Sequence, residues 1–133
     1  MILCLDSSGL VKRYVREEGS EALAEVMGRA SAYRMCSIGF TETVRAVARA
    51  GEPADVERVE RDWASIGAID VDEALAWQAA KLAVRHGLRT LDALHLAAAL
   101  ATADDDPTFV TWDVALHRAA RAEGLRVFPA SLE

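Results

Sequence analysis

The sequence predicts an α/β protein in which helices cover both faces of a central parallel sheet. The first observation behind this prediction is that short apolar runs alternate along the chain with longer helical segments, a pattern typical of parallel sheets. The second is that Ser, Thr or Asp begins many helical segments and Gly ends several of them, as helix capping favours. With 133 residues, the chain is expected to form a single domain, residues 1–133, around one core.

The chain starts with an apolar run at residues 1–5, which is typical of a buried parallel strand. Ser7 and Ser8 can cap a helix that continues to about Glu17. Ser20 can cap a second helix, which carries its apolar side chains on one side. The sequence therefore predicts a strand followed by two helices before the next apolar run.

The middle of the chain repeats this order. Residues 33–36 read as a second strand, and Ser37 then caps a helix that Gly51 ends. Pro53 suits the first turn of a further helix, which is predicted to stop at Gly67.

The C-terminal half continues the alternation with three strands and three helices, and Asp or Thr begins each of the helices. These elements are a strand at residues 68–71, a helix that begins at about Asp72 and ends near 86, a helix at 91–103 that Thr90 caps, a strand at 108–111, a helix to 123 that Asp113 caps and a strand at 126–128.

Composition and charge narrow the classes of protein that the chain can belong to. Its 52% hydrophobic content argues against disorder, and Cys4 and Cys36 lie in apolar runs that predict buried free thiols. Asp6, Lys12 and Arg13 interrupt the N-terminal apolar stretch, so we expect a cytoplasmic protein without a secretory signal or membrane association. The net charge of −6 argues against nonspecific nucleic-acid binding. It does not exclude a nuclease, because bound cations reverse the local potential.

Four acidic residues, Asp6, Glu42, Asp92 and Asp113, each lie where a predicted strand ends or a helix begins. In an open α/β fold these positions gather along one edge of the sheet, where ligands bind. Crowded carboxylates repel one another and need a compensating cation, and all-oxygen ligation suits Mg²⁺ or Mn²⁺. Each acid also has an ordinary explanation as a turn residue, an exposed helical acid, a helix-dipole partner or an N-cap. The hypothesis of a metal site therefore depends on the four acids together.

The same segments resemble a known family. Leu3-Cys4-Leu5-Asp6-Ser7-Ser8, Glu42 after Ser37, Leu91-Asp92-Ala93-Leu94-His95 and Phe109-Val110-Thr111-Trp112-Asp113 are similar, in order and spacing, to the PIN-domain family, and more narrowly to VapC-type toxin ribonucleases of bacterial toxin–antitoxin pairs. The resemblance runs over essentially the whole chain. It implies a PIN-like three-layer fold, with the central parallel sheet flanked by helices on both faces.

The resemblance also implies an activity and a set of site residues. Asp6, Glu42, Asp92 and Asp113 would be the catalytic and metal-binding acids of an Mg²⁺-dependent endoribonuclease (Mn²⁺ being an alternative), with Thr111 in support. Ser7 is a second supporting candidate. RNA would be hydrolysed by metal-activated water. The implied partners are an RNA substrate, a small cognate antitoxin of VapB type and a second copy of the chain. The helices around residues 22–27 and 44–48 are candidates for the dimer surface.

Residues beyond the four acids are weaker candidates. Lys12, Arg13, Arg89 and Trp112 are candidate RNA contacts, whereas His95 is predicted to be a buried packing or hydrogen-bonding residue. Two alternative functions stay open at this point: a noncatalytic PIN fold that binds proteins, and a PIN nuclease that acts in RNA processing.

Overall fold

A five-stranded parallel sheet forms the centre of the computed structural model, which describes residues 1–132. Glu133, the last residue of the predicted domain, lies outside the described residues. The strands are β1 (Ile2–Leu5), β2 (Ala32–Cys36), β3 (Ile66–Ile69), β4 (Thr108–Val110) and β5 (Arg126–Phe128). Their order is β3-β2-β1-β4-β5, and every neighbouring pair is parallel. The chain leaves β1 in one direction for β2 and returns to its other side with β4, so the topological switch point lies between β1 and β4.

Helices cover both faces of this sheet, which confirms the predicted α/β fold class. The described helices are α1 (Ser7–Leu10), α2 (Ser20–Arg29), α3 (Ile38–Ala50), α4 (Pro53–Trp63), α5 (Glu73–His86), α6 (Thr90–Ala101) and α7 (Val114–Ala122). Leu3 and Leu5 pack in a core with the helices from α1 to α4, whereas Cys4 packs in a second core with α5, α6 and α7. Successive side chains of a strand point to opposite faces, so β1 serves both cores.

The two cysteines are buried free thiols, as predicted. Burial is the main cause that raises the pKa of Cys4 to about 12, with the neighbouring Cys36 as a smaller cause. These thiols therefore act as small core residues.

The first helix is shorter than predicted. α1 ends at Leu10, a 3-10 turn follows at Val11–Arg13, and no helix continues to Glu17. Its cap is the Asp6 carboxylate, which accepts from the backbone N–H of Gly9, and not Ser7 or Ser8. Tyr14 follows this turn, and its side chain is buried in the core. Tertiary packing of this side chain outweighs the local helix preference.

The loop before α2 also differs from the prediction. Ser20 is the first residue of α2, and its hydroxyl donates to the Val15 carbonyl while it accepts from the Glu17 N–H. The N-cap is Gly19, with a φ of 93°. A side chain at Gly19 would meet the Trp112 ring at 2.9 Å, so both the backbone angle and the space favour glycine there.

Strand β3 lies two residues earlier than predicted. α4 ends at Trp63, and Gly67, which was expected to stop this helix, lies within β3 opposite Arg34 of β2. Pairing of β3 with β2 packs Ile66 against the core. The stability that this packing adds cannot be predicted from Gly67 and its neighbours in the sequence. Smaller shifts occur at Thr111, which follows β4, and at Thr90, which is the first helical residue of α6 and not its cap.

The predicted dimer surfaces at residues 22–27 and 44–48 stay a prediction, although their largest apolar side chains belong to the chain's own core. Leu23, Val26 and Val47 are at most 1% exposed. Exposed apolar side chains occur on α5, where Trp77 is 64% and Val84 is 87% exposed. Within the described part of the chain, no helix combines the length and the apolar character that crossing a membrane requires.

Asp62 of α4 provides a test of how the short first helix is held. Its carboxylate accepts from the Tyr14 hydroxyl at 2.8 Å and from the Arg13 Nε–H at 2.9 Å. Burial alone would raise the pKa of Asp62, but the bonds from Arg13 and Tyr14 outweigh it and lower this pKa. We expect Asp62→Asn to reduce the free energy of unfolding at neutral pH by about 1–2 kcal/mol.

The predicted loss depends on pH. A lowered folded pKa stabilises the protein above the unfolded value of about 3.9 and stops doing so as pH falls through the folded pKa. The difference between Asp62→Asn and the parent, measured by urea unfolding, should therefore shrink below about pH 4. Glu21→Gln is the control, because Glu21 pairs with Arg16 at 2.7 Å with both side chains largely exposed and should change little. An equal loss in both variants would contradict the prediction.

Candidate active site

All four predicted acids line one cleft of about 240 Å³ beside the switch point of the sheet. The cleft is lined by Asp6, Ser7, Ser8, Val11, Glu42, Ala46, Arg89, Asp92 and Asp113. These residues come from the segments after β1 and β4, from α3, and from the first turn of α6. The expectation that acids from four distant segments converge at one edge of the sheet is therefore met.

Asp6 lies deepest, with only 3% of its surface exposed. Its carboxylate accepts from the Gly9 N–H at 2.8 Å, from the Ser8 hydroxyl at 2.8 and 2.9 Å, and from the Thr111 hydroxyl at 2.5 Å. Burial raises the pKa of Asp6, although the nearby His95 and these donors oppose the rise. The side chain is thus fixed in one orientation, yet its negative charge is costly where it stands.

Thr111 and Ser8 connect this acid to the segment after β4. The Thr111 hydroxyl accepts from the Asp113 N–H at 3.0 Å, and the Ser8 hydroxyl accepts from the Trp112 N–H at 3.1 Å. The supporting position predicted for Thr111 agrees with these bonds. The sequence predicts only a capping role for Ser8. Its contact with residue 112 joins segments that are far apart in the sequence, so no local pattern indicates it.

Glu42 is held from two sides. Its carboxylate lies 2.6 Å from the Nε2 atom of His95, whose side chain is 2% exposed. Burial alone would raise the pKa of Glu42, but the hydrogen bond with His95, assisted by the Ser7 hydroxyl, outweighs it and lowers this pKa. The prediction of a buried hydrogen-bonding role for His95 is confirmed, although its partner could not be read from the sequence.

Asp92 and Asp113 face each other at the mouth of the cleft. Burial and then the charge of Asp113 raise the pKa of Asp92. Arg89 reaches both acids, with Nε 3.2 Å from Asp92 and Nη2 3.6 Å from Asp113. Asp113 also caps α7 by accepting from the Leu116 N–H at 2.8 Å. It is therefore both an N-cap, the ordinary explanation given above, and a residue of the cleft.

Of the candidate RNA contacts, only Arg89 lies among the lining residues of the cleft. Lys12 is bonded to Glu17 and lies 5.0 Å from the centre of the Trp112 ring. Trp112 packs edge-on against Phe128, and Arg13 is paired with Asp62. These three side chains make contacts within the chain and lie outside the lining of the cleft, and their role in RNA binding stays a prediction.

The donor set fits a hard divalent cation. Four carboxylates supply only oxygen ligands, and Arg89, 82% exposed at its side chain, is the cation in contact with Asp92 and Asp113. Within residues 1–132, no three His, Cys, Asp or Glu side chains are grouped closely enough to hold a metal ion by themselves. Mg²⁺ needs no such cage, because it usually keeps several waters and binds one or two carboxylates.

The chain is similar to known proteins in both sequence and fold. Residues 3–122 match the family described as PIN domain. Ribonuclease VapC45 of Mycobacterium tuberculosis is 33% identical over 141 aligned positions, which cover 99% of this chain and 98% of the relative. A toxin–antitoxin complex from Klebsiella pneumoniae has a similar fold, with a TM-score of 0.75 at 14% identity over 98% of this chain and 99% of the other. The VapBC2 structure from Rickettsia felis, bound to a DNA fragment from its promoter, gives 0.67 at 16% identity over 96% and 97%.

Thr111→Val tests how strongly the bonds to Asp6 support the site. The change keeps the shape of a fully buried side chain but deprives the Asp6 carboxylate and the Asp113 N–H of a partner. We expect the free energy of unfolding to fall by about 1–3 kcal/mol, because buried polar groups are left unpaired. Thr111→Ser, which keeps the hydroxyl, should lose less in the same urea-unfolding measurement. A Val variant as stable as the parent would show that the hydroxyl is dispensable.

Proposed function

This chain belongs to the PIN-domain family, and from that premise we propose that it is an Mg²⁺-dependent endoribonuclease acting as the toxin of a type II toxin–antitoxin pair. The observation that carries the proposal is the convergence of Asp6, Glu42, Asp92 and Asp113 on one cleft. The names of its relatives, which are VapC ribonucleases at 33% identity, support the ribonuclease activity and the toxin role. RNA in the cytoplasm would be its target.

The four carboxylates would hold Mg²⁺, or Mn²⁺ in its place, some of them directly and others through waters on the ion. When bound, the ion supplies an activated water and neutralises charge on the phosphate oxygens. Asp6 enters this arrangement with its orientation fixed by Ser8 and Thr111. Arg89 is the exposed side chain at the mouth that can bind an RNA phosphate. Hydrolysis would form a bond between the oxygen of water and phosphorus and break the bond from phosphorus to a ribose oxygen, which leaves with a proton, so no Ser or Cys nucleophile is required.

We also propose a small antitoxin of VapB type as partner. The solved structures with this fold include a toxin–antitoxin complex and VapBC2, by their own descriptions. A chain of net charge −6 would suit a basic partner segment. A short reading frame directly upstream, whose product copurifies with this protein, is the observation that would support the pairing.

The proposed substrate leads to a direct test. Loops of structured RNA present splayed backbones, whereas a duplex is a stiff rod, and the acidic chain offers little nonspecific grip. We expect a hairpin RNA to be cut in its loop in the presence of Mg²⁺, and not in EDTA. The same stem without its loop and a DNA duplex are the controls. Equal cutting of the DNA duplex would indicate a general nuclease, and no cutting of any RNA would favour a noncatalytic protein-binding module.

Asp92→Asn tests the metal assignment. The change is nearly isosteric and removes charge beside Asp113, so the metal-free protein should melt at the same or a higher temperature. Cleavage of the hairpin should fall at least about 100-fold, as expected when a preorganised charge at a reaction centre is lost. Mg²⁺ should raise the melting temperature of the parent and much less that of the variant. Asp104→Asn, at an exposed position outside the cleft, is the control; matching activity in both variants would refute the role of Asp92.

We further propose a homodimer that forms through α5. Trp77, Ala80 and Val84 are exposed and recur at a spacing of three and four residues, so they share one side of the helix. Exposed apolar surface of this kind marks interaction sites. We expect light scattering at micromolar concentration to report a dimer for the parent and a monomer for Trp77→Lys. Ala122→Lys, an exposed change on α7, should stay dimeric, and a monomeric parent would refute the proposal.

A further inference from the structure

His95 is an unusual residue for its position in α6. This helix is buried over most of its surface, and the residues around His95 include Ala93, Leu96 and Ala98, each at most 1% exposed. An imidazole in such surroundings must find hydrogen-bond partners or cost stability. Its Nδ1 atom has none among the described residues. An apolar side chain would avoid this cost. The reason for a histidine at this position must therefore lie in the contact that its Nε2 atom makes.

The other nitrogen, Nε2, lies 2.6 Å from the Glu42 carboxylate. The short distance is that of a charge-assisted hydrogen bond in which the ring N–H donates to the carboxylate. α3 supplies Val47 to the core on one face of the sheet, whereas α6 belongs to the core on the other face. The bond therefore joins the two helical layers across the sheet edge and ties Glu42 to the helix that carries Asp92.

The spacing along α6 adds a second constraint. His95 follows Asp92 by three residues, so the two side chains lie on the same side of the helix, one turn apart. Asp92 is at the mouth of the cleft and His95 lies behind it, 2% exposed. Because His95 is buried and already bonded to a carboxylate oxygen of Glu42, it is placed to orient an acid and not to contact the substrate.

We propose that His95 is a positioning residue that holds the Glu42 carboxylate in the orientation required for the divalent cation. The imidazole takes one of the carboxylate's lone pairs, and the remaining lone pairs can serve the ion or a water bound to it. This role rests on the proposed metal-dependent function. It corresponds to the way in which hydrogen-bonded neighbours orient metal ligands elsewhere, where their loss typically weakens metal binding about 10- to 100-fold.

The experiment compares two amides at position 95. A Gln amide nitrogen falls near the place of imidazole Nε2, whereas an Asn amide falls near Nδ1 and is too short to reach Glu42. We expect His95→Asn to weaken Mn²⁺ binding, measured by isothermal titration with MnCl₂, about 10- to 100-fold, and His95→Gln to restore most of it. In the Glu42→Gln background, His95→Asn should have little further effect on Mn²⁺ affinity.

The matched control is His117→Asn. His117 is also a buried histidine, but its Nε2 atom is bonded to the Pro129 carbonyl at 2.7 Å. This variant should keep the parent's Mn²⁺ affinity even if its melting temperature falls. If His95→Asn does not fold, His95→Leu replaces it, because Leu keeps most of the packing volume and lacks the N–H.

The outcomes separate this inference from the proposed function. Parental Mn²⁺ affinity in folded His95→Asn or His95→Leu overturns the inference, and so does a loss in His95→Gln as large as in His95→Asn. A parent that fails to bind Mn²⁺ overturns it as well. A parent that binds Mn²⁺ and shows the Asn–Gln difference but cuts no RNA supports the inference and refutes the ribonuclease activity.

Discussion

The burial of the Asp6 carboxylate is the constraint on which the rest of the site depends. A charged group with 3% exposure is unstable unless donors surround it. One donor is a backbone N–H of α1, and the others are the hydroxyls of Ser8 and Thr111. The Ser8 and Thr111 hydroxyls also accept backbone N–H groups of the segment after β4. The donors that surround Asp6 therefore also hold β1, α1 and the start of α7 together at the switch point.

The cleft keeps more negative charge than its own residues neutralise. Burial and the charge of Asp113 raise the pKa of Asp92, and burial raises that of Asp6. Arg89 offsets part of this charge, but its side chain is 82% exposed, so its attraction to the acids is screened by solvent. Such an arrangement reduces the stability of the folded chain and favours the approach of a cation. The same acids therefore explain both a cost in folding and the proposed chemistry.

The four acids and the exposed apolar side chains lie on different elements of the structure. The four acids gather at the carboxyl edge of the sheet, where the ends of β1 and β4 and the first turn of α6 meet. The apolar faces of α2 and α3 are used up within the core, whereas α5 keeps exposed apolar side chains. The exposed apolar residues of α5 are not among those that line the cleft. This division follows from the open α/β fold, in which the strand ends form the site and the outer helices form the surface.

The sequence by itself determined the features that depend on neighbours along the chain. These are the alternation of strands and helices, the capping of α5 by Asp72 and of α7 by Asp113, and the gathering of four acids at one edge, since parallel strands all end there. Tertiary structure alone decided the early end of α1 at Leu10, the two-residue shift of β3 and the roles of Ser8 and His95. Each of these depends on a partner far away in the sequence, and a contact between distant residues leaves no local pattern from which it could be predicted.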